Sequence, residues 1–380
     1  MAENTNRIEN ANAIFCCECG EELATDEVIY FDDNCYCEDC FEDVTVVCEC
    51  CGDRVMADDA QCDDDYTLCQ DCYDNHYTTC TCCERIISND DAYYLDDDDD
   101  YPYCYSCYVN EQRHIKIHDY SYKPEPIFHG NDNRFFGVEL EIDDGGCDSD
   151  NAEEILLIAN NEYEDRLYIK KDGSIDDGFE LVSQPMTLEY HKNSMPWKEI
   201  MNESISMGYL SHNVATCGLH CHVNRTAFGS TVEEQEDVIA RILYFVELHW
   251  TELLKLSRRT VSQMARWASR YEVSRTNPKD MIEDIKKDNY NRYRCVNITN
   301  SSTVEFRMFR GTLRYNTFIA TLELVDLICN IALTRTDDEI TNLSWDSFVS
   351  EIDTEKYSEL VTYLKEKNLY TNVSVENGGE

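Results

Sequence analysis

Two sets of side chains in this sequence have the types and spacing to do chemistry. In the first, cysteines fall in Cys-x-x-Cys pairs: Cys16 and Cys19 with Cys37 and Cys40, Cys48 and Cys51 with Cys69 and Cys72, and Cys80 and Cys83 with Cys104 and Cys107. Within a unit 17, 17 and 20 residues separate the two pairs, and seven separate successive units. Two residues between cysteines let a tight knuckle aim both sulfurs at one ion, and two knuckles complete a tetrahedral set of thiolates. This register predicts structural Zn2+ in preference to disulfides, and a closed four-thiolate site leaves no open position for catalysis. Pairing within a unit and cross-bracing between units both fit the spacing. Cys17, Cys35, Cys50, Cys62 and Cys82 read as spare thiols, although the doublets leave the ligand choice open by one residue.

The second set lies on strand-like stretches. In Phe136-Gly137-Val138-Glu139-Leu140-Glu141-Ile142, alternation puts Glu139 and Glu141 on one face and Val138, Leu140 and Ile142 on the other. His220 and His222 likewise share a face, opposite Leu219, Cys221 and Val223. In Thr303 to Arg310, Glu305, Arg307 and Phe309 share a face, and Arg292 and Arg294 lie just upstream. Asp172-Gly173 reads as a turn before a strand from Phe179 to Ser183, which would bring Asp172 and Glu180 to one edge. Carboxylates and imidazoles on one face suit a cation, and arginine's planar fork suits phosphate oxygens. Each stretch also has a plain reading as a half-buried strand, an ordinary turn, or a salt-bridged sheet whose surface pairs contribute only ~0 to 1 kcal/mol.

The elements that must position these residues form two domains. Residues 1–14 are polar and expected to be disordered, 15–110 carry the three cysteine units, and 111–130, with Pro124 and Pro126, read as a linker. Residues 131–370 form the second domain and 371–380 a tail. There a helix is expected around Ala152 to Asn160, one of about 25 residues from a Ser230–Glu233 capping box to Leu256, one over 314–335, and one or two over 344–368. The basic residues Lys255, Arg258, Arg259, Arg266, Arg270 and Arg275 suggest either an anionic ligand or pairing with nearby carboxylates. The Asp96 to Asp100 run reads as a solvated loop, with calcium as the alternative.

The formal charge is −45, and residues 1–115 carry 31 Asp and Glu against four Arg and no Lys, a balance of −27. Such a surface repels phosphate backbones, so nucleic acid is excluded as a partner and a basic protein is expected instead. No apolar run of 18 residues and no signal-peptide core is evident, so a soluble, cytoplasmic protein without a membrane partner is expected.

The cysteine units resemble tandem zinc ribbons or half-LIM units. From about residue 134 to 313 the order of motifs resembles the amidoligase family, in the carboxylate-amine ligase group related to glutamine synthetase and glutamate-cysteine ligase. The carrying stretches are Phe136 to Glu141, Asp172-Gly173-Ser174 with Glu180 and Pro185, Gly218 to Val223, and Val304 to Arg307. The resemblance implies an α+β fold, an antiparallel sheet forming a concave site with helices behind it. It implies one Mg2+ on Glu141, Asp172 and Glu180 and another on Glu139, His220 and Glu305. His222 would lie near ATP, with Arg292, Arg294 and Arg307 on its phosphates; Glu139, Glu305, Arg307 and Arg294 would be catalytic. The implied activity is amide or isopeptide bond formation between a small-molecule or peptide carboxylate and an amine through an acyl phosphate. The alternative is a ligase fold that has lost activity and serves as a zinc scaffold.

Overall fold

In each cysteine unit the first pair caps a turn between two short antiparallel strands: Ile14–Phe15 with Glu22–Leu23, Thr45–Val47 with Arg54–Met56, and Tyr77–Thr79 with Ile86–Ser88. One amide closes each knuckle onto its first cysteine: Gly20 N to Cys16 O at 2.9 Å, Gly52 N to Cys48 O at 2.8 Å, and Glu84 N to Cys80 O at 2.9 Å. That position is left-handed in all three, with φ of +74°, +81° and +60°, so two repeats use glycine and the third strains a glutamate. The second pair follows a hairpin or bridge and enters the first turn of a helix, Glu38–Val44, Gln70–His76 or Tyr105–Gln112. A computed structural model describes residues 13–95, 100–112, 115–214, 216–272, 277–287 and 292–370. The expected solvated loop at 96–99, Arg275, the first twelve residues and the tail 371–380 therefore lie outside the described residues.

The chain divides into two units, Met1–Ile115 and Lys116–Glu380. The second is built on six strands: β1 Phe136–Ile142, β2 Leu167–Lys170, β3 Phe179–Ser183, β4 Gly218–Asn224, β5 Val296–Asn297 and β6 Thr303–Arg310. Their order is β2-β3-β1-β4-β6-β5 and every neighbouring pair is antiparallel. The apolar alternates of β1, β4 and β6, among them Leu140, Leu219 and Phe306, are fully buried in one core with residues of helices Ser149–Ala159, Trp197–Ser206, Val232–Leu248 and Tyr315–Thr334. The opposite alternates carry the polar residues as far as Arg307; a register shift between Leu219 and Cys221 then sets Phe309 opposite Leu219 in the buried core, so it does not share the face of Glu305 and Arg307 as its spacing predicted. This is an α+β arrangement of antiparallel sheet and helices, as the resemblance implied.

Two further local expectations change. Residues 118–129, read as linker, are stitched to the sheet: His118 N donates to Ile169 O at 2.8 Å and His129 N to Pro185 O at 3.0 Å. The 25-residue helix is two, Val232–Leu248 and Trp250–Ser257, interrupted at His249, and its capping box is Thr231 with Glu234 in place of Ser230 with Glu233. Tyr315–Thr334, interrupted by Glu323 and Asp326 and so no unbroken apolar run, is nonetheless long and apolar enough by length and composition to cross a membrane, but 83% of its most apolar window is buried inside the unit. Its two buried acids are matched. Lys192 Nζ and Leu360 N donate to Glu323 at 2.7 Å each, and Arg134, Lys356 and Tyr357 converge on Asp326. A buried carboxylate persists in a core only with such partners.

Candidate active site

Register turns the polar alternates into one row. Directly opposed residues of antiparallel strands share a face, and the opposed pairs are Lys170 with Glu180, Glu180 with Glu141, Glu139 with His220, and His222 with Glu305. Asn297 opposes Glu305 on the far side and donates to its Oε2 at 2.8 Å. A cleft of about 1040 Å3 opens over this row.

Glu139 sits at its centre. His220 Nδ1 lies 3.2 Å from Glu139 Oε2 and 3.8 Å from Glu305 Oε1, and His222 Nε2 lies 3.4 Å from Glu139 Oε1 and 3.9 Å from Glu305 Oε1. Two groups bring their ligand atoms within 4.8 Å of one another, Glu139 with His222 and Glu305, and Glu139 with Glu180 and His220. Glycine at 218 makes room: a Cβ there would fall 2.7 Å from His220 Nε2 and 2.9 Å from Arg259 Nη2.

Burial and charge pull the carboxyls apart. Burial opposes the charge on Glu139 and Glu305, but the imidazoles of His222 and His220 outweigh it and hold both below the usual carboxylate range. Burial, with Glu139 adding repulsion, pushes Glu180 well above that range despite Lys170 Nζ at 3.1 Å. Glu141 is also raised by burial, although Gly218 N donates to it. His222 resists burial because Glu139 faces it, and its protonated form is favoured. Such divergent carboxyls on one face are what a cation site or an acid–base site requires.

Of the residues singled out from the sequence, Glu139, Glu141, Asp172, Glu180, His220, His222, Arg292, Glu305 and Arg307 all line the cleft. Asp172 also serves its turn, accepting from Ser174 N at 2.7 Å. Arg307 pairs with Glu305, and Arg292 donates to Tyr120 and Tyr293 at the rim, 3.2 and 2.9 Å away. Arg294 does not line the cleft; it donates to Arg270 O at 2.9 Å and lies over the Tyr271 ring. Lys170, Asn297 and Arg259 line it without having been singled out as site residues. Lys170 was legible from the Leu167–Lys170 alternation, and Asn297 from the stretch between Arg292 and Ile298. Arg259 was visible only as one of the basic residues suggesting an anionic ligand or carboxylate pairing; it follows a left-handed residue, Arg258, and lines the cleft. The rest of that basic run scatters: Arg270 pairs with Glu247 and Arg266 lies over Trp267.

Residues 160–329 match the family model described as "Putative amidoligase enzyme". The match points to a ligase. It spans β2 to β6 and ends within the long core helix, leaving β1 with Glu139 and Glu141 outside, so the sheet register, not the match, ties those two carboxylates to the amidoligase segment. No curated protein matches the chain.

The cysteines gather within units, not across them. Cys16, Cys19, Cys37 and Cys40 form one tetrad, Cys48, Cys51, Cys69 and Cys72 a second, and Cys80, Cys83, Cys104 and Cys107 a third, each with all four sulfurs within 4.8 Å. Four thiolates at that spacing have the number and softness for zinc. Backbone N–H groups of Cys19 and Cys37 draw the Cys16 thiol down to about 6, while the neighbouring Cys37 sulfur pushes the Cys40 thiol up. The third differs in having Arg85, whose Nη2 donates to Cys104 Sγ at 3.6 Å.

Proposed function

We propose that the second unit is an ATP-dependent ligase that joins a carboxylate to an amine through an acyl phosphate, on a sheet of the glutamine-synthetase kind. The observation that carries this reading is the row of carboxylates and imidazoles centred on Glu139 and flanked by Arg307, Arg259 and Arg292 in one cleft of an amidoligase-matched unit. The residues present fit Mg2+: oxygen donors predominate, and the buried Glu180 Oε2 and His222 Nε2 meet only charged neighbours, the Lys170 ammonium at 3.1 Å and Glu139 Oε1 at 3.4 Å, without a well-aligned hydrogen bond. Glu139, Glu305, Glu180, His220 and Glu141 would hold the ions, with Asp172 contributing only the oxygen that its turn leaves over. Bound Mg2+ supplies neutralisation of phosphate charge.

The chain's own residues do the rest. Arg307 and Arg292 orient the transferring phosphoryl, and Arg259, whose Nε and Nη1 are buried without a hydrogen bond, takes the place expected of Arg294. The substrate carboxylate oxygen attacks the γ-phosphorus and ADP leaves; the amine nitrogen then attacks the acyl carbon, phosphate departs with the C–O pair, and the amine gives up a proton. The acidic first unit, held by its tetrads in a reducing compartment, docks a basic protein partner or presents a substrate. The rival scaffold reading draws on Asp172 and Arg294 being engaged elsewhere. Calorimetric titration with ATP and Mg2+ separates the two: binding that needs Mg2+ and disappears in a Glu139→Gln, Glu305→Gln protein supports the ligase, and no binding supports the scaffold.

A further inference from the structure

The second unit contains another cavity, of about 560 Å3, apart from the cleft. It lies where β6 has ended and the core helix Tyr315–Thr334 begins, walled by residues 208–213, 312–314 and the end of helix Ser358–Glu366. Tyr209, Leu210, Leu313 and Tyr363 make much of the wall apolar. Cations collect on the remainder, Arg258, Lys367 and Arg314, with the His212 imidazole beside them. Glu366 is the one carboxylate among the described lining residues, and Arg314 already grips both its oxygens, at 2.9 and 2.7 Å.

Arg258 is the most telling of these. Its backbone is left-handed at φ +65°, a conformation that costs an arginine and places it in the turn closing helix Trp250–Ser257. Its terminal nitrogens donate to the Leu256 and Arg310 carbonyls and the Thr321 hydroxyl, at 3.3, 2.6 and 3.2 Å, and the guanidinium meets the Tyr363 phenol and the Phe309 ring, but no carboxylate among the described residues. Its Nε is buried without a partner. After burial, the groups acting on its charge are the Tyr363 phenol and a second cation, Arg310. His212 feels the same field: burial first, then Arg310, Arg258 and Lys367, all disfavour its protonation. Thr317 in the wall belongs to the first turn of a 20-residue helix whose N-cap, Arg314, makes no side-chain cap bond, so that end adds its own partial positive charge. Guanidinium charge in an apolar-walled cavity whose one carboxylate among the described lining residues, Glu366, is taken up by Arg314 is destabilising until an anion fills it.

We propose that this cavity is a second ligand site, taking an oxyanion, carboxylate or phosphate, carried on an apolar body. The Arg258 and Lys367 cations and the helix end bind the oxyanion, and the Tyr209, Leu210, Leu313 and Tyr363 wall covers the apolar part. The inference does not rest on the ligase reading.

The zinc-loaded full chain is titrated by ligand-observed NMR with phenyl phosphate, phenylacetate and benzylamine. Binding by one or both anions and not by benzylamine is expected, and which anion binds identifies the oxyanion class. Lys367→Glu, at a half-buried position, and His212→Asp, at an exposed one, weaken the anions about ten-fold, while Glu139→Gln with Glu305→Gln changes them by less than about two-fold. No anion binding at millimolar concentration, equal binding of benzylamine, or binding lost in the cleft variant and unmoved in both wall variants overturns the proposal.

Discussion

Acidification isolates one buried group. His191 is fully buried, its Nε2 3.0 Å from Phe136 O at the start of β1, and the Trp197 indole N–H donates to its Nδ1 at 3.1 Å. Accepting at Nδ1 and donating at Nε2 fixes the neutral ring, since a proton on Nδ1 would displace the indole bond. Burial lowers its pKa from 6.5 to about 4, with the Phe136 carbonyl only partly offsetting that. A lowered folded value means the unfolded chain takes up the proton first. The stabilisation is therefore complete above pH 6.5, falls as pH drops from there towards 4, and is gone below. The full gap corresponds to roughly 3 kcal/mol, of which about 2.5 kcal/mol is lost by pH 4.5, a large share of an ordinary domain's stability. All four tryptophans follow residue 196, so urea unfolding read by tryptophan emission reports the second unit alone. The stability difference between the natural protein and His191→Gln, in which other titrations cancel, should shrink by about 2.5 kcal/mol between pH 7.5 and 4.5. A difference that stays constant over that range would refute the burial argument.

Zinc should be present at three ions per chain, as the three tetrads require, and a chelator should open the first unit to Glu-C proteolysis without changing tryptophan emission. Retained protease resistance after chelation would mean the thiolates are not what folds it. Glu84→Gly, which removes a left-handed glutamate from the third knuckle, should slow zinc loss to a competing chelator by up to about five-fold, or ~1 kcal/mol, whereas Gly52→Ala should hasten it. Equal rates would show that the knuckle backbone relaxes freely. Glu323→Ala should cost about 2 to 3 kcal/mol in urea unfolding, because it leaves the buried Leu360 amide unpaired and the Lys192 ammonium with only the Lys356 carbonyl; a cost below about 1 kcal/mol would contradict the pairing.

Local spacing carried most of the molecule. Cysteine periodicity located each tetrad because two-residue knuckles are local geometry, and the alternation around Glu139, His220 and Glu305 assigned their faces because strand period does not depend on partners. Alternation cannot say which strands pair, so it could not show that Glu139 opposes His220 and so stands between both histidines, Glu180 and Glu305. The break at His249, the docking of residues 118–129 on the sheet edge, and the withdrawal of Arg294 to the Arg270 carbonyl are decided by tertiary contacts. Arg258 and Arg259 were visible only as part of a basic run. One backbone turn sends them to two different cavities.

The most direct test of the ligase assignment is ADP and phosphate release by the purified full chain with ATP, Mg2+ and a pool of carboxylates and amines. Release that requires both pools, with disappearance of carboxyl and amine in equal amounts and loss in the Glu139→Gln, Glu305→Gln protein, is the predicted result. Release that is indifferent to the pools, or undiminished in that variant, would contradict it.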